Sequence, residues 1–152
     1  MPPNSADEAD EQPFNPNGLV DARETIFRGI KVRRGQKSFR DKLFTAYENS
    51  CAITACKVAD VLEAAHIAPY LGEQTNKVTN GLLLRADLHT LFDCGLLHIE
   101  PQSRTIFLAS KLRESPDYGR LHGRALRLPK KLSLAPSAEA LEEHARLFRR
   151  LQ

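Results

Sequence analysis

The sequence of 152 residues contains no long apolar run, no internal repeat and only three cysteines. A membrane span needs about 20 consecutive apolar residues, so no spanning helix and no membrane partner are expected. Residues 1–18 have no basic region followed by an apolar one. They do not read as a secretory signal, and a cytoplasmic setting is the expectation. Cys51, Cys56 and Cys94 are odd in number, and a chain of this size needs no disulfide staples. They are expected as reduced thiols in or near the core. Cys51 and Cys56 lie five apart, but no second pair follows to complete a structural zinc site.

Hydrophobic residues at 41% and charged residues at 27% are ordinary for a globular domain, so one core is affordable at this length. Residues 1–18 are acidic and rich in Pro and Asn, which predicts a disordered tail ahead of a single domain over 19–152. The net charge is +3, yet Asp7, Glu8, Asp10 and Glu11 stand unopposed in residues 1–12. Setting those four acids aside leaves +7 on the remainder. The excess lies in two stretches. Arg23 to Lys42 holds eight Lys/Arg against Glu24 and Asp41, and Arg104 to Lys131 holds eight against Glu114 and Asp117. Such stretches suit a polyanion, because each phosphate contact releases counterions. A solvated basic surface is the plainer alternative.

Periodicity divides the chain into short elements. Phe39, Leu43 and Tyr47 fall at helical spacing, predicting a helix from about Phe39 to Glu48 with Ser38 as N-cap. "CAITAC" (51–56) reads as a turn or short strand entering the core. Val61 to Ile67 reads as a strand with Leu62, Ala64 and His66 on one face, stopped by Pro69. Residues 71–80 are loop, 81–84 a second apolar strand, and "ADLHTLFDCG" a helix closed by Gly95. "LLHIEPQSRTIFLAS" predicts a hairpin. A C-terminal helix over about 137–151 has Ser137 as cap, acids in its first turn and arginines in its last.

The side chains that can carry chemistry lie in the middle of the chain. His89 and Asp93, four apart on a helix, share one face and can hold one divalent ion; an ordinary surface pair is the alternative. His66 ends a strand, Asn80 precedes the returning strand 14 residues later, and His89 follows after nine more. His98 reads as a strand-surface or core histidine, His122 as a loop residue and His144 as a solvated helix residue.

Taken together, "CAIT", "EAAHIAPY" and "NGLLLRADLHTLFDCGLL" resemble the HNH endonuclease family over about Cys51 to Ile99. The resemblance implies an α+β fold, a ββα-metal (His-Me finger) nuclease core with flanking helices and a following β-hairpin. It also implies metal-dependent hydrolysis of phosphodiester bonds in DNA, with His66, Asn80 and His89 as the catalytic set. His66 matches the general base, and an ordinary histidine is available as the neutral imidazole at pH 7. Asn80 would tie the loop between the strands and orient His66, or, as in some members, approach the metal. His89 would ligate the metal with Asp93 as second ligand. One divalent ion is implied, Mg²⁺ by availability, while Mn²⁺, Ni²⁺ or Zn²⁺ also suit such donors. Arg85 is a candidate for phosphate contact, with a structural salt bridge as its alternative. Lys31, Arg33, Arg34 and Lys37 are candidates for tracking a DNA backbone, with a solvated loop as theirs.

One position departs from the family pattern. Many members carry a metal ligand directly before the general base, where this chain has Ala65. Glu63 shares that face of the strand by alternation and is the candidate substitute. Two other classes remain open at this point: a non-catalytic nucleic-acid-binding module on the same fold, and a structural zinc module built on Cys51, Cys56 and histidines.

Overall fold

The computed structural model describes Glu11, residues 13–23 and residues 37–152. The chain divides at Gly35 and Gln36. Before the division, residues 13–22 are exposed and form no helix or strand, and Arg23 pairs with Asp21 at 2.7 Å. Lys31, Arg33, Arg34 and most of the expected acidic tail lie outside the described residues. Among the described residues no helix is long and apolar enough to cross a membrane.

The second unit begins with helix α1, Lys37–Ala46. Phe39 and Leu43, one turn apart, are 2% and 0% exposed, and Tyr47 continues the stripe beyond the helix end. Ser38 is the helix's second residue and therefore not its cap, which corrects the expected start. Glu48 and Asn49 take left-handed backbone (φ 53° and 57°) and end the helix.

The segment 51–56 is a turn, closed by the Cys51 N–H donating to the Cys56 carbonyl at 2.9 Å. The Cys51 thiol is fully buried and accepts N–H bonds from Ile53, Thr54 and Arg85, each at 3.4 Å. Strand β1 is Leu62–His66 and β2 is Gly81–Arg85, antiparallel, with His66 opposite Gly81 and Leu62 opposite Arg85. β1 is shorter than expected, because Val61 closes a 3₁₀ turn, Ala59–Val61. Leu82, Leu83 and Leu84 are all 0% exposed. A strand covered on both faces reads as a continuous apolar run, as "GLLL" does. Helix α2, Ala86–Asp93, follows β2 without a break, and Gly95 (φ 69°) turns the chain out of it.

A second hairpin pairs β3, Leu97–Ile99, with β4, Ile106–Leu108. A short helix α3, Ser110–Arg113, and looser chain lead to α4, Ala138–Leu151. Ser137 caps α4 by accepting the Ala140 N–H at 3.1 Å. Two arginines of the second basic stretch are built into the frame. Arg127 donates to Ser50 Oγ and the Cys51 carbonyl, and Arg113 donates to the Leu108 carbonyl while lying over the Phe107 ring.

His144 is not solvated as expected but 6% exposed. It falls on the α4 stripe of Ala140, Leu141, Ala145 and Phe148, which packs inward. There it stacks on Phe92 with centroids 3.6 Å apart and donates Nε2–H to the Phe92 carbonyl at 2.7 Å. His98 is a buried histidine of β3 packed against Phe148. His122 accepts the Leu108 N–H through Nδ1. Cys94 is exposed rather than near-core.

Candidate active site

β1, the loop after it, α2 and α4 surround a cleft of about 570 Å³. Its lining includes His66, Tyr70, His89 and Asp93, with Glu143, Leu147 and Arg150 contributed by one face of α4. The β1–β2 hairpin and the abutting α2 thus bring His66 and the His89–Asp93 pair to one opening, from sequence positions more than twenty residues apart.

His66 sits where β1 ends, half-buried. Its ring stacks on Phe39 of α1, with centroids 4.3 Å apart and planes at 8°. Tyr70 stands 5.6 Å from the same ring. The Nε2 atom lies 2.7 Å from Asn76 Oδ1. Among the described residues the Asn80 side chain makes no hydrogen bond to His66. Its Oδ1 accepts the Ala68 N–H at 2.9 Å, and its Nδ2 donates to the carbonyls of Ala68 and Thr75 at 3.2 and 3.0 Å. Asn80 therefore ties the loop, while the direct hold on His66 belongs to Asn76. No spacing in the sequence singles out Asn76, because loop residues carry no period.

His89 is held from both ring nitrogens. Nδ1 lies 2.9 Å from Glu63 Oε1 on β1, and Nε2 lies 3.1 Å from Asp93 Oδ2 one turn further along α2. The Asp93 carboxylate and then the Glu63 carboxylate hold the imidazole pKa above its ordinary value, against the effect of burial. In the tautomer with Nδ1–H donated to Glu63, the Nε2 lone pair faces a carboxylate oxygen, and a cation between them relieves the repulsion. A proton can serve, and so can a metal ion. Two ligands at right angles on bonds of about 2.1 Å stand about 3.0 Å apart, close to the observed 3.1 Å. A carboxylate on the far ring nitrogen is also the usual second partner of a metal-bound histidine. The residues present thus fit a divalent cation held by two side chains. Among the described residues no group of three or more His, Cys, Asp or Glu assembles for a metal. Ala65 is fully buried and does not line the cleft.

The remaining candidates separate from this cleft. Arg85 gives Nε and Nη2 to Asp87 at 2.7 and 3.0 Å, and Tyr118 donates its hydroxyl to the same carboxylate. The ion pair raises the Arg85 pKa and lowers that of Asp87, leaving Nη1 for any phosphate. Lys37 lines a different groove with Lys42 and Asp41. The Cys51 sulfur is already an acceptor of three backbone N–H groups, and it joins no cluster of three potential ligands among the described residues. That environment describes a core thiol rather than a zinc module.

A β-hairpin followed directly by a helix, with histidines at the end of the first strand and on the helix, defines the α+β class of ββα-metal folds. Residues 51–100 match a family model described as HNH endonuclease. Among solved structures the chain is similar to one described as a modification dependent TagI restriction endonuclease, at 20% identity and a TM-score of 0.53. The likeness covers 70% of this chain but 36% of that one, and at such identity it speaks to the fold. No curated protein matches the chain. The matched family model is that of an endonuclease, and the similar structure shares the fold.

Proposed function

We propose that the chain is a metal-dependent endonuclease that hydrolyses phosphodiester bonds in DNA. The observation that carries this reading is the cleft itself, in which a half-buried imidazole, His66, faces the same opening as the His89–Asp93 pair. A divalent ion, Mg²⁺ by availability, would be held by His89 and Asp93, and when bound it supplies positive charge against the phosphate and the departing oxygen. Glu63 keeps His89 turned toward Asp93.

His66 takes one proton from a water molecule through a ring nitrogen. The water's oxygen forms the new bond to phosphorus as its O–H bond breaks. The bond from phosphorus to the sugar oxygen breaks, with its electron pair leaving on that oxygen, which is protonated by solvent. Packing the ring against Phe39 limits its motion, so the imidazole stays in place at the edge of the cleft. Arg150, on the α4 wall of the cleft, supplies a cation for a neighbouring phosphate. The DNA substrate class rests on the HNH family match, and the basic body supports it.

The test is nicking of supercoiled plasmid with Mg²⁺ or Mn²⁺. Cleavage is expected from the wild type, lost with EDTA, and reduced by about 10²–10⁴-fold in His66→Ala, the range for a general base. Equal residual cutting by the wild type and His66→Ala would show contamination and refute the enzyme.

A further inference from the structure

We infer that Asn76 is the positioning residue for His66 and that it acts by fixing which ring nitrogen carries the proton; this rests on the nuclease reading above. The contact is His66 Nε2 to Asn76 Oδ1 at 2.7 Å. An amide oxygen only accepts, so Nε2 must carry the hydrogen, and in the neutral ring Nδ1 then bears the lone pair. Among the described residues Nδ1 makes no hydrogen bond, so it remains open to a water. When Nδ1 receives a proton, Nε2–H keeps its bond to Asn76, and the ring does not have to move. A half-turn of the ring that exchanges the nitrogens keeps its plane on Phe39 but breaks the Asn76 bond, so that bond selects the orientation.

Asn76 is itself fixed. Its N–H donates to the Glu73 carbonyl at 3.0 Å, at the end of the 3₁₀ turn Glu73–Thr75. The carbonyl of Thr75, the residue before it, accepts from Asn80 Nδ2 at 3.0 Å. Asn80 also holds Ala68, two residues beyond His66, through both its donor and its acceptor. The family's middle residue therefore reaches the base at one remove: Asn80 clamps the loop, and the clamped loop presents Asn76. Neither the family segment nor any spacing assigns this role to Asn76.

The experiment reads the tautomer of His66 by ¹⁵N NMR of histidine-labelled protein, alongside plasmid nicking with Mg²⁺. The wild type is expected to show Nε2–H. Asn76→Ala is expected to give a mixture of tautomers and to lower kcat by about ten- to a hundred-fold with KM little changed. Asn76→Asp, which still accepts from Nε2–H, is expected to keep the tautomer and recover most of the rate. An Nδ1–H tautomer in the wild type, or an unchanged tautomer in Asn76→Ala, overturns the inference whatever the cleavage rate. A tautomer that shifts as expected while the wild type cuts no DNA overturns the nuclease reading and leaves the hold of Asn76 on His66 standing.

Discussion

Replacing Gly81 by alanine tests whether α1 seats the His66 imidazole. Gly81 lies opposite His66 in the hairpin, with extended backbone (φ −136°, ψ 155°) that any residue adopts. On conformational grounds alone, alanine would stabilise by about 0.4–1 kcal/mol, because it restricts the unfolded chain. Space decides otherwise. A Cβ there would stand 2.7 Å from Phe39 Cζ and 2.8 and 2.9 Å from the two Leu43 methyls. Carbon contacts settle at about 3.5–4.0 Å, so both side chains must retreat by roughly 1 Å. Phe39 and Leu43 are almost wholly buried and have little room. Overpacking of this kind costs about 1–3 kcal/mol, which outweighs the entropic gain and leaves a net loss of roughly 0.5–2 kcal/mol. For a body of this size that is a fall in Tm of about 1–8 °C. Because Phe39 stacks on His66, plasmid cleavage should fall together with stability. The assay is thermal and urea unfolding of Gly81→Ala, Phe39→Leu and the double variant. Phe39→Leu removes the closest atom, so Gly81→Ala should cost less in that background, by on the order of 1 kcal/mol. A Gly81→Ala protein that melts at or above the wild-type temperature would refute the packing argument.

Three further outcomes are expected. Titration calorimetry with Mn²⁺ should show weaker binding in Asp93→Ala and His89→Ala, and a loss of about 10–100-fold in Glu63→Gln, which removes the partner of His89 Nδ1; an unchanged isotherm for Asp93→Ala removes it from the site. Burial, reinforced by the charges of His144 and Arg149, lowers the His98 pKa to about 4. Its neutral form therefore stabilises the fold fully above an unfolded value of about 6.5, and this contribution is lost as pH falls from there toward about 4. It is on the order of 3 kcal/mol at most; His144, also lowered by burial, adds in the same sense, while His89, raised by its carboxylates, acts in the opposite one. Denaturation midpoints should drop across this window, less so in His98→Leu, and equal pH slopes in the two proteins would exclude His98 as a cause. DNA affinity of the His66→Ala protein should fall steeply with salt, with a log–log slope shallower by about 1 in Arg150→Gln; a flat salt dependence would reduce the +7 body to mere surface charge.

Much of this architecture was legible along the chain, because the rules that govern it are local. The strand character of 62–66, the apolar run of 81–84, the i, i+4 pairing of His89 with Asp93, the stop at Gly95 and the cap at Ser137 depend on near neighbours in sequence. The structure has each of them. The HNH segment was legible for a related reason: its motif residues sit on one hairpin and the helix that follows it, so their spacing is itself the geometry. Tertiary structure alone decided the rest. His144 became a core residue because α4 turns that face onto Phe92. Arg127 and Arg113 became frame residues because distant carbonyls lie within their reach. Asn76, rather than Asn80, holds His66, because a loop returns it to a ring ten residues back. Glu63 and Phe39 join the site by facing it across strand and helix. Sequence by itself determined which elements form and which residues can do chemistry; which partner each of those residues meets depends on contacts made between segments far apart, and these have no period to read.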